Sequence, residues 1–271
     1  MKIETIHINS TELIRDGDFK SPDNFMIVDR KNNVYKNGEK INVPVKLSID
    51  NPKVKLLPND KFILIDGSKP ATVDNAWVIN QNLEIERILK LGLVQDIIYF
   101  NGNLLCSYSY CDTTILGNTG LTIFNLDGNE IFSYYSGEIR PNNLKWWEIY
   151  SFLLDENNKL QYLAYPNFPI IQLSSDFKSN VIAKVPNEEQ LKKNEFWNPM
   201  AFTRKDENWY FITPDKENIL SRIFKMDKSQ RIEQIGTCSI SFRPKGLSNG
   251  KFFVPVQNPY DIGCKFEIVE I

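Results

Sequence analysis

The chain has one histidine in 271 residues, His7, and it sits in the alternating run IETIHI near the N-terminus, where a structural role is expected. Histidine-centred triads and His-rich metal sites are therefore without their central member. Cysteine is scarce as well. Cys106, Cys111, Cys238 and Cys264 form no C-x-x-C pair and fall far short of the density of a disulfide scaffold, so all four read as free thiols. No window approaches the roughly 20 apolar residues of a membrane span, and charge breaks the opening MKIETIHINSTELIRDGD too often for a signal peptide. Charge of one sign is also missing: 32 Lys and Arg stand against 34 Asp and Glu, which leaves no basic field for a phosphate backbone or an anionic membrane. These absences point to a cytoplasmic protein that works without nucleic acid, membrane, metal or cofactor.

Apolar and aromatic residues are plentiful, 42% and 12% of the chain, enough to bury a large core. They also recur in a pattern. A turn of Asn, Asp or Gly followed by a β-rich run appears six times, in PDNFMIVD, NDKFILID, NGNLLCSY, NNKLQYLA, ENWYFITP and NGKFFVPV, aligned at Asn24, Lys61, Asn103, Lys159, Asn208 and Lys251. A second pattern, two short aliphatic runs hinged on Asn or Asp, appears five times, at Asn37, Asn82, Asp127, Asp176 and Asp227. Asn-Gly and Asp-Gly supply the positive φ of a tight hairpin, and the other copies are expected to use longer turns.

Interleaved, the two patterns give four strands in about 40 to 50 residues, the period of a β-propeller blade. In the third copy the strands are QDIIYF, NLLCSYSY, LTIFNL and EIFSYY, and in the fifth they are PMAFTR, WYFITP, SRIFKM and RIEQIG. The second strand of each copy is apolar nearly throughout, as expected of a strand covered on both faces. The run LEIERILKLG alternates and takes a fourth-strand position, whereas PNEEQLKKNEF is expected to form a short helix between blades. A β-sandwich offers no reason for a four-strand unit to repeat six times.

After GKFFVPVQN only CKFEIVEI remains, so the last blade is one strand short, and KIETIHI at the start alternates correctly to supply it. The chain thus resembles the six-bladed β-propeller superfamily over residues 1–271, without WD dipeptides or kelch diglycines. That resemblance implies an all-β fold: one domain of four-stranded antiparallel blades, closed by the N-terminal strand. Cys238 and Cys264 are expected on the first and third strands of the last blade.

In such a blade the second-to-third loop and the crossover to the next blade share one end. The long segments fall there, including SYCDTTILGNTG, SGEIRPNNLKWWE and PNEEQLKKNEFWN, while the turns at the opposite end are short. Binding concentrates on loops over a rigid scaffold. Twelve acids, Asp66, Asp74, Asp96, Asp112, Glu138, Glu148, Glu188, Glu189, Glu195, Asp215, Glu217 and Asp261, face seven bases on the crossover side, so a basic protein partner suits it better than a phosphate-rich one. Trp146, Trp147 and Trp197 stand where first strands begin, and tryptophan is enriched in binding hot spots.

Two functions compete. The first is a non-enzymatic protein-binding propeller, in one version an immunity protein that blocks a toxin, with Trp147, Glu148, Trp197, Asn198, Arg243 and Asp112 as its contacts. The second is an enzyme. VQDIIYFNGNLLCSYS and WNPMAFTRKDENWYFIT resemble glycoside hydrolases built on five-bladed propellers, and the matching carboxylates are Asp96 and Glu148. Such chemistry needs two carboxylates across the sugar bond. The third expected position holds Asn198, and a lactonase-like or lyase-like site using Asp96, Glu148 and Asn198 as oxygen ligands to calcium is the remaining enzymatic option.

Overall fold

A computed structural model describes residues 1–10, 12–45, 51–108, 120–133, 148–165, 168–185, 196, 198–214, 220–241, 243–256 and 264–271, with Glu148 described for its backbone alone. Among these, 24 strands form six four-stranded sheets. The first sheet runs β2 (Ile14–Ser21), β3 (Asn24–Asp29), β4 (Val34–Lys36), β5 (Glu39–Ile41), and the second β6 (Pro52–Leu56), β7 (Phe62–Asp66), β8 (Ala76–Ile79), β9 (Ile85–Leu89). The third holds β10 (Val94–Phe100), β11 (Asn103–Tyr108), β12 (Gly120–Asn125) and β13 (Glu130–Ser133). The fourth comprises β14 (Glu148–Leu154), β15 (Leu160–Tyr165), β16 (Pro169–Leu173) and β17 (Ser179–Lys184), and the fifth β18 (Ala201–Lys205), β19 (Asn208–Pro214), β20 (Leu220–Met226) and β21 (Ile232–Ser239). The sixth is β22 (Lys245–Leu247), β23 (Lys251–Pro255), β24 (Cys264–Glu270) and, as its fourth strand, β1 (Lys2–Ile8). These are the blades of a six-bladed β-propeller, the last completed by the N-terminal strand. The contacts divide into two compact units, one holding the first three blades and the other the last three with β1.

The six aligned β-rich runs are the second strands, β3, β7, β11, β15, β19 and β23, and each is buried at all but one residue or throughout. Their alternate residues point into successive layers between blades. Val54, Leu64 and Phe62 of the second blade pack against Met26 and Val28 of the first, while Ile63 and Ile65 join Leu104 and Cys106 of the third. In the other unit Leu163 and Ile170 of the fourth blade meet Phe202 and Phe211 of the fifth, and Ala201 and Ile212 meet Phe252 and Val254 of the sixth. Burying each such side chain stabilises by about 1.5–3 kcal/mol relative to exposure.

One hairpin geometry recurs at Asp29, Asn80, Asn125, Asp155, Ser174 and Asp227. Each of these residues donates its N–H to the carbonyl four residues on, and its own carbonyl accepts from the residue three on. The side chain accepts the N–H of the residue four on in every copy. The residue three on takes positive φ: Asn32, Leu83, Gly128, Asn158, Phe177 and Gln230, at 59 to 84°. So the Asp127-Gly128 copy shares the longer turn, and only Asn37-Gly38 of the five hinges has both residues at positive φ. Past these turns the third-to-fourth ladders of blades two to five each carry a register shift, at Val78/Ile79, Ile123/Phe124, Ile170/Ile171 and Ile223/Phe224. Irregularities of this kind twist an outer strand away from flat edge pairing.

Two expectations need comment. Cys238 lies on β21, the outer strand of the fifth blade, because β21 runs to Ser239 before the chain turns inward; only Cys264 is in the sixth blade, on its third strand. Cys106, Cys238 and Cys264 are thiols in no disulfide, and Cys111 lies outside the described residues. LEIERILKLG is strand β9, whereas the short helix expected at 186–196 lies outside them but for Phe196.

Candidate functional site at the crossover ends

The inner strand of each blade has a backbone edge with no strand beside it. Blade one covers its neighbour's edge with side chains: Asp16 Oδ2 accepts from Val54 N at 2.8 Å, Asp18 Oδ2 accepts from Leu56 N at 2.9 Å, and Asp18 Oδ1 pairs with Lys55 Nζ at 2.7 Å. The two carboxylates lie two residues apart and so meet alternate N–H groups of β6. Asp16 follows a register shift between Ile14 and Asp16, and β10 repeats that feature between Val94 and Asp96. There the outcome differs. Asp96 is half-buried, its N–H donates to Ser107 Oγ at 3.1 Å, and its Oδ1 accepts from Ile97 N at 2.8 Å.

The loops at this end are held from beneath. Asn75, fully buried, donates to the carbonyls of Asp66 and Gly92 and accepts from Leu91 N and Gly92 N, which uses its whole hydrogen-bonding capacity. Tyr108 OH donates to Leu91 O at 2.5 Å. Gly67 is required by a close approach, since a Cβ there would lie 2.7 Å from Val94 O. Asp29, also fully buried, accepts from Lys31 N, Asn33 N, Asn33 Nδ2, Tyr35 OH and Ser10 Oγ, and so fixes the link from β1 to β2. An open groove of about 440 Å³ lies above it, lined by Ser10, Glu12, Lys31, Asn33, Tyr35 and Lys40. Glu12 and Lys31 pair at 2.6 Å, and this bond raises the lysine's pKa.

In the other unit, Ser241 N donates to Ser221 Oγ, Arg243 N donates to Ser241 Oγ, and Met200 N donates to Ile212 O. These bonds place Asn198, at φ 47°, and Arg243 just ahead of β18 and β22, both half-buried. Phe196 is the aromatic anchor there. It is buried, with ring centroids 6.4, 5.4 and 5.3 Å from Phe168, Phe211 and Phe224. The sequence reading passed over it for the neighbouring Trp197, although its place beside an inner strand was the same signal.

Asp96 lies near the start of β10, and Asn198 and Arg243 lie just ahead of β18 and β22. Asp112, Trp146, Trp147 and Trp197 lie outside the described residues, and Glu148 opens β14. Asp66 departs from the reading. It is buried, accepts from Ser68 N and Oγ, and adds no surface charge. Of the twelve acids counted for this end, eight lie outside the described residues and Glu148 is described for its backbone alone. Among the described residues, no three His, Cys, Asp or Glu side chains come together to hold a metal ion. Burial pushes the Cys106 thiol up, and it pushes that of Cys238 up to about 12, which keeps both protonated and unreactive.

No protein-family model matches the sequence, and no curated protein matches it. Solved structures do. The chain is similar to virginiamycin B lyase from Staphylococcus aureus, at 11% identity and TM-score 0.58 over 100% of this chain and 99% of that one. A luciferin-regenerating enzyme gives 12% identity and TM-score 0.59 over 100% and 96%. YCF48 bound to D1 peptide gives 8% identity and TM-score 0.52 over 99% and 97%. At such identities the likeness is one of fold.

Proposed function

We propose that the protein is a binding propeller that presents the crossover ends of its inner strands to a protein partner. The observation that carries this reading is preorganisation. Asn75, Asp66, Asp29 and Ser241 spend their polar groups inside the loops, so the half-buried Asp96, Asn198 and Arg243 are offered on a scaffold already fixed. A rigid surface loses little entropy on association. YCF48, a propeller of the same fold bound to a peptide, is consistent with this use. In its finer form the partner is a toxin in the cytoplasm and the protein its inhibitor, with Trp147, Trp197, Asp112 and Glu148 completing the contact.

The test is a pull-down from native lysate with wild type and with Arg243→Ala, Trp147→Ala and Trp197→Ala, melting curves being recorded in parallel. Loss of the partner with unchanged melting supports the reading. Unfolding of both tryptophan variants places the indoles in the core.

A lyase-like or glycosidase-like enzyme is the second reading, favoured by one observation: among the described residues the carboxylate of Asp96, unlike that of Asp16, caps no neighbouring strand. Turnover of a lactone, depsipeptide or glycoside panel that is lost in Asp96→Ala and Glu148→Ala would put it first.

A further inference from the structure

The opposite ends of the last three blades hold a hollow of about 150 Å³, lined by Asp155, Glu156, Arg204, Asp206, Asn249 and neighbouring residues. It sits where β14, β18 and β22 reach their tight turns. Its walls are fixed. Gly250 N donates to Arg204 O at 2.9 Å, Thr203 Oγ1 donates to Leu247 O, and Gly246 lets β22 approach so close that a Cβ would fall 1.7 Å from Phe202 O. Asp155 is consumed by its own turn, with Oδ1 accepting from Asn157 N and Lys159 N and Oδ2 from Gln161 Nε2.

Arg204 lies 5.1 Å over the Trp209 ring and donates Nε to the backbone carbonyl of Asp206 at 3.2 Å. It forms no ion pair among the described residues, although three carboxylates share its hollow. Glu156 and Asp206 are likewise without a side-chain partner there. A free guanidinium beside carboxylates ordinarily closes on one of them. Here the guanidinium stacks on Trp209 and donates Nε to the Asp206 carbonyl, which leaves its two Nη groups to the hollow.

We propose that this hollow binds a small zwitterion, a free α-amino acid, whose carboxylate takes the two Nη groups of Arg204 and whose ammonium takes Asp206 or Glu156. The charge-assisted fork suits a planar carboxylate, and the opposing carboxylates suit an ammonium. The hollow of about 150 Å³ has room for a compact amino acid. This site is independent of the crossover surface.

Calorimetric titration of the purified protein with alanine, N-acetylalanine and ethylamine separates the chemistries. Alanine binds saturably, and each analogue, lacking one charge, binds roughly tenfold more weakly or worse. Arg204→Lys, which keeps the charge and loses the fork, weakens alanine by a similar factor, as does Asp206→Asn combined with Glu156→Gln. Both variants change exposed residues and should melt with wild type. The proposal is overturned if alanine does not bind, if ethylamine binds as well as alanine so that the hollow is a plain cation site, if N-acetylalanine matches it, or if Arg204→Lys leaves it unchanged.

Discussion

Strands β2 and β10 open alike and end differently. Each is the inner strand of its blade, and each has a register shift followed by an aspartate, Asp16 or Asp96. Asp16 is 1% exposed and caps Val54 N, so it acts as a substitute for the strand that β6 lacks. Asp96 is half-buried, and among the described residues its carboxylate accepts only from the N–H of Ile97. One sequence feature thus serves stability in the first blade and leaves a carboxylate available in the third. In the first blade the adjacent inner strand β6 presents buried N–H groups, and the acid is drawn in to satisfy them.

The strongest way to break this arrangement is to force two inner strands apart. Gly246→Ala would place a methyl 1.7 Å from Phe202 O, a contact with backbone that no rotamer relieves. The strand β22 must withdraw from β18 and give up the bond from Thr203 to Leu247 O. Overpacking of this kind costs about 3 kcal/mol or more. Denaturant melts that coincide with wild type would show that the inner edges are looser than described.

Asp16→Ala against Asp96→Ala tests the comparison itself. The first leaves Val54 N–H buried without an acceptor and should cost about 1–3 kcal/mol, whereas the second should stay within about 0.5 kcal/mol. Equal losses would mean that Asp96 is as deeply used as Asp16. Near-neutral results for both would mean that β6 finds another acceptor.

These two sites also show where the sequence was legible. The six-fold recurrence of buried second strands fixed blade number and order, because a strand covered on both faces must be apolar at nearly every position. The closing strand Lys2–Ile8 was legible by subtraction. The use of individual polar residues was not. Asp-Gly-Asp at 16–18 has the composition of a turn and is an inner strand, and Asp66 resembles a surface acid and is 3% exposed. Both depend on donors brought near by the next blade or by a loop's own fold, and no local spacing records that. Cys238 was displaced by one blade for a similar reason, since β21 runs eight residues where a typical outer strand here is shorter.

The smallest expected effect lies in the repeated hairpin, which sharpens the contrast between positions set by backbone and positions set by neighbours. Six copies need positive φ at one residue, and Gly128 and two asparagines meet the need at little expense, while Gln230 at 65° holds a side chain in a conformation that L-residues disfavour. Gln230 is exposed, so its side chain contributes little packing in return. Gln230→Gly should therefore stabilise by about 0.5–1 kcal/mol, the relief of the left-handed backbone being partly offset by the wider freedom of glycine in the unfolded chain. Leu83→Gly at 62° should gain less or lose, because Leu83 packs on the apolar layer between blades one and two. Thermal melts of the two variants side by side decide the point: a stabilised Gln230→Gly with a destabilised Leu83→Gly is expected, and the reverse order would mean that packing against the adjacent blade, and not local backbone strain, sets the worth of these turns.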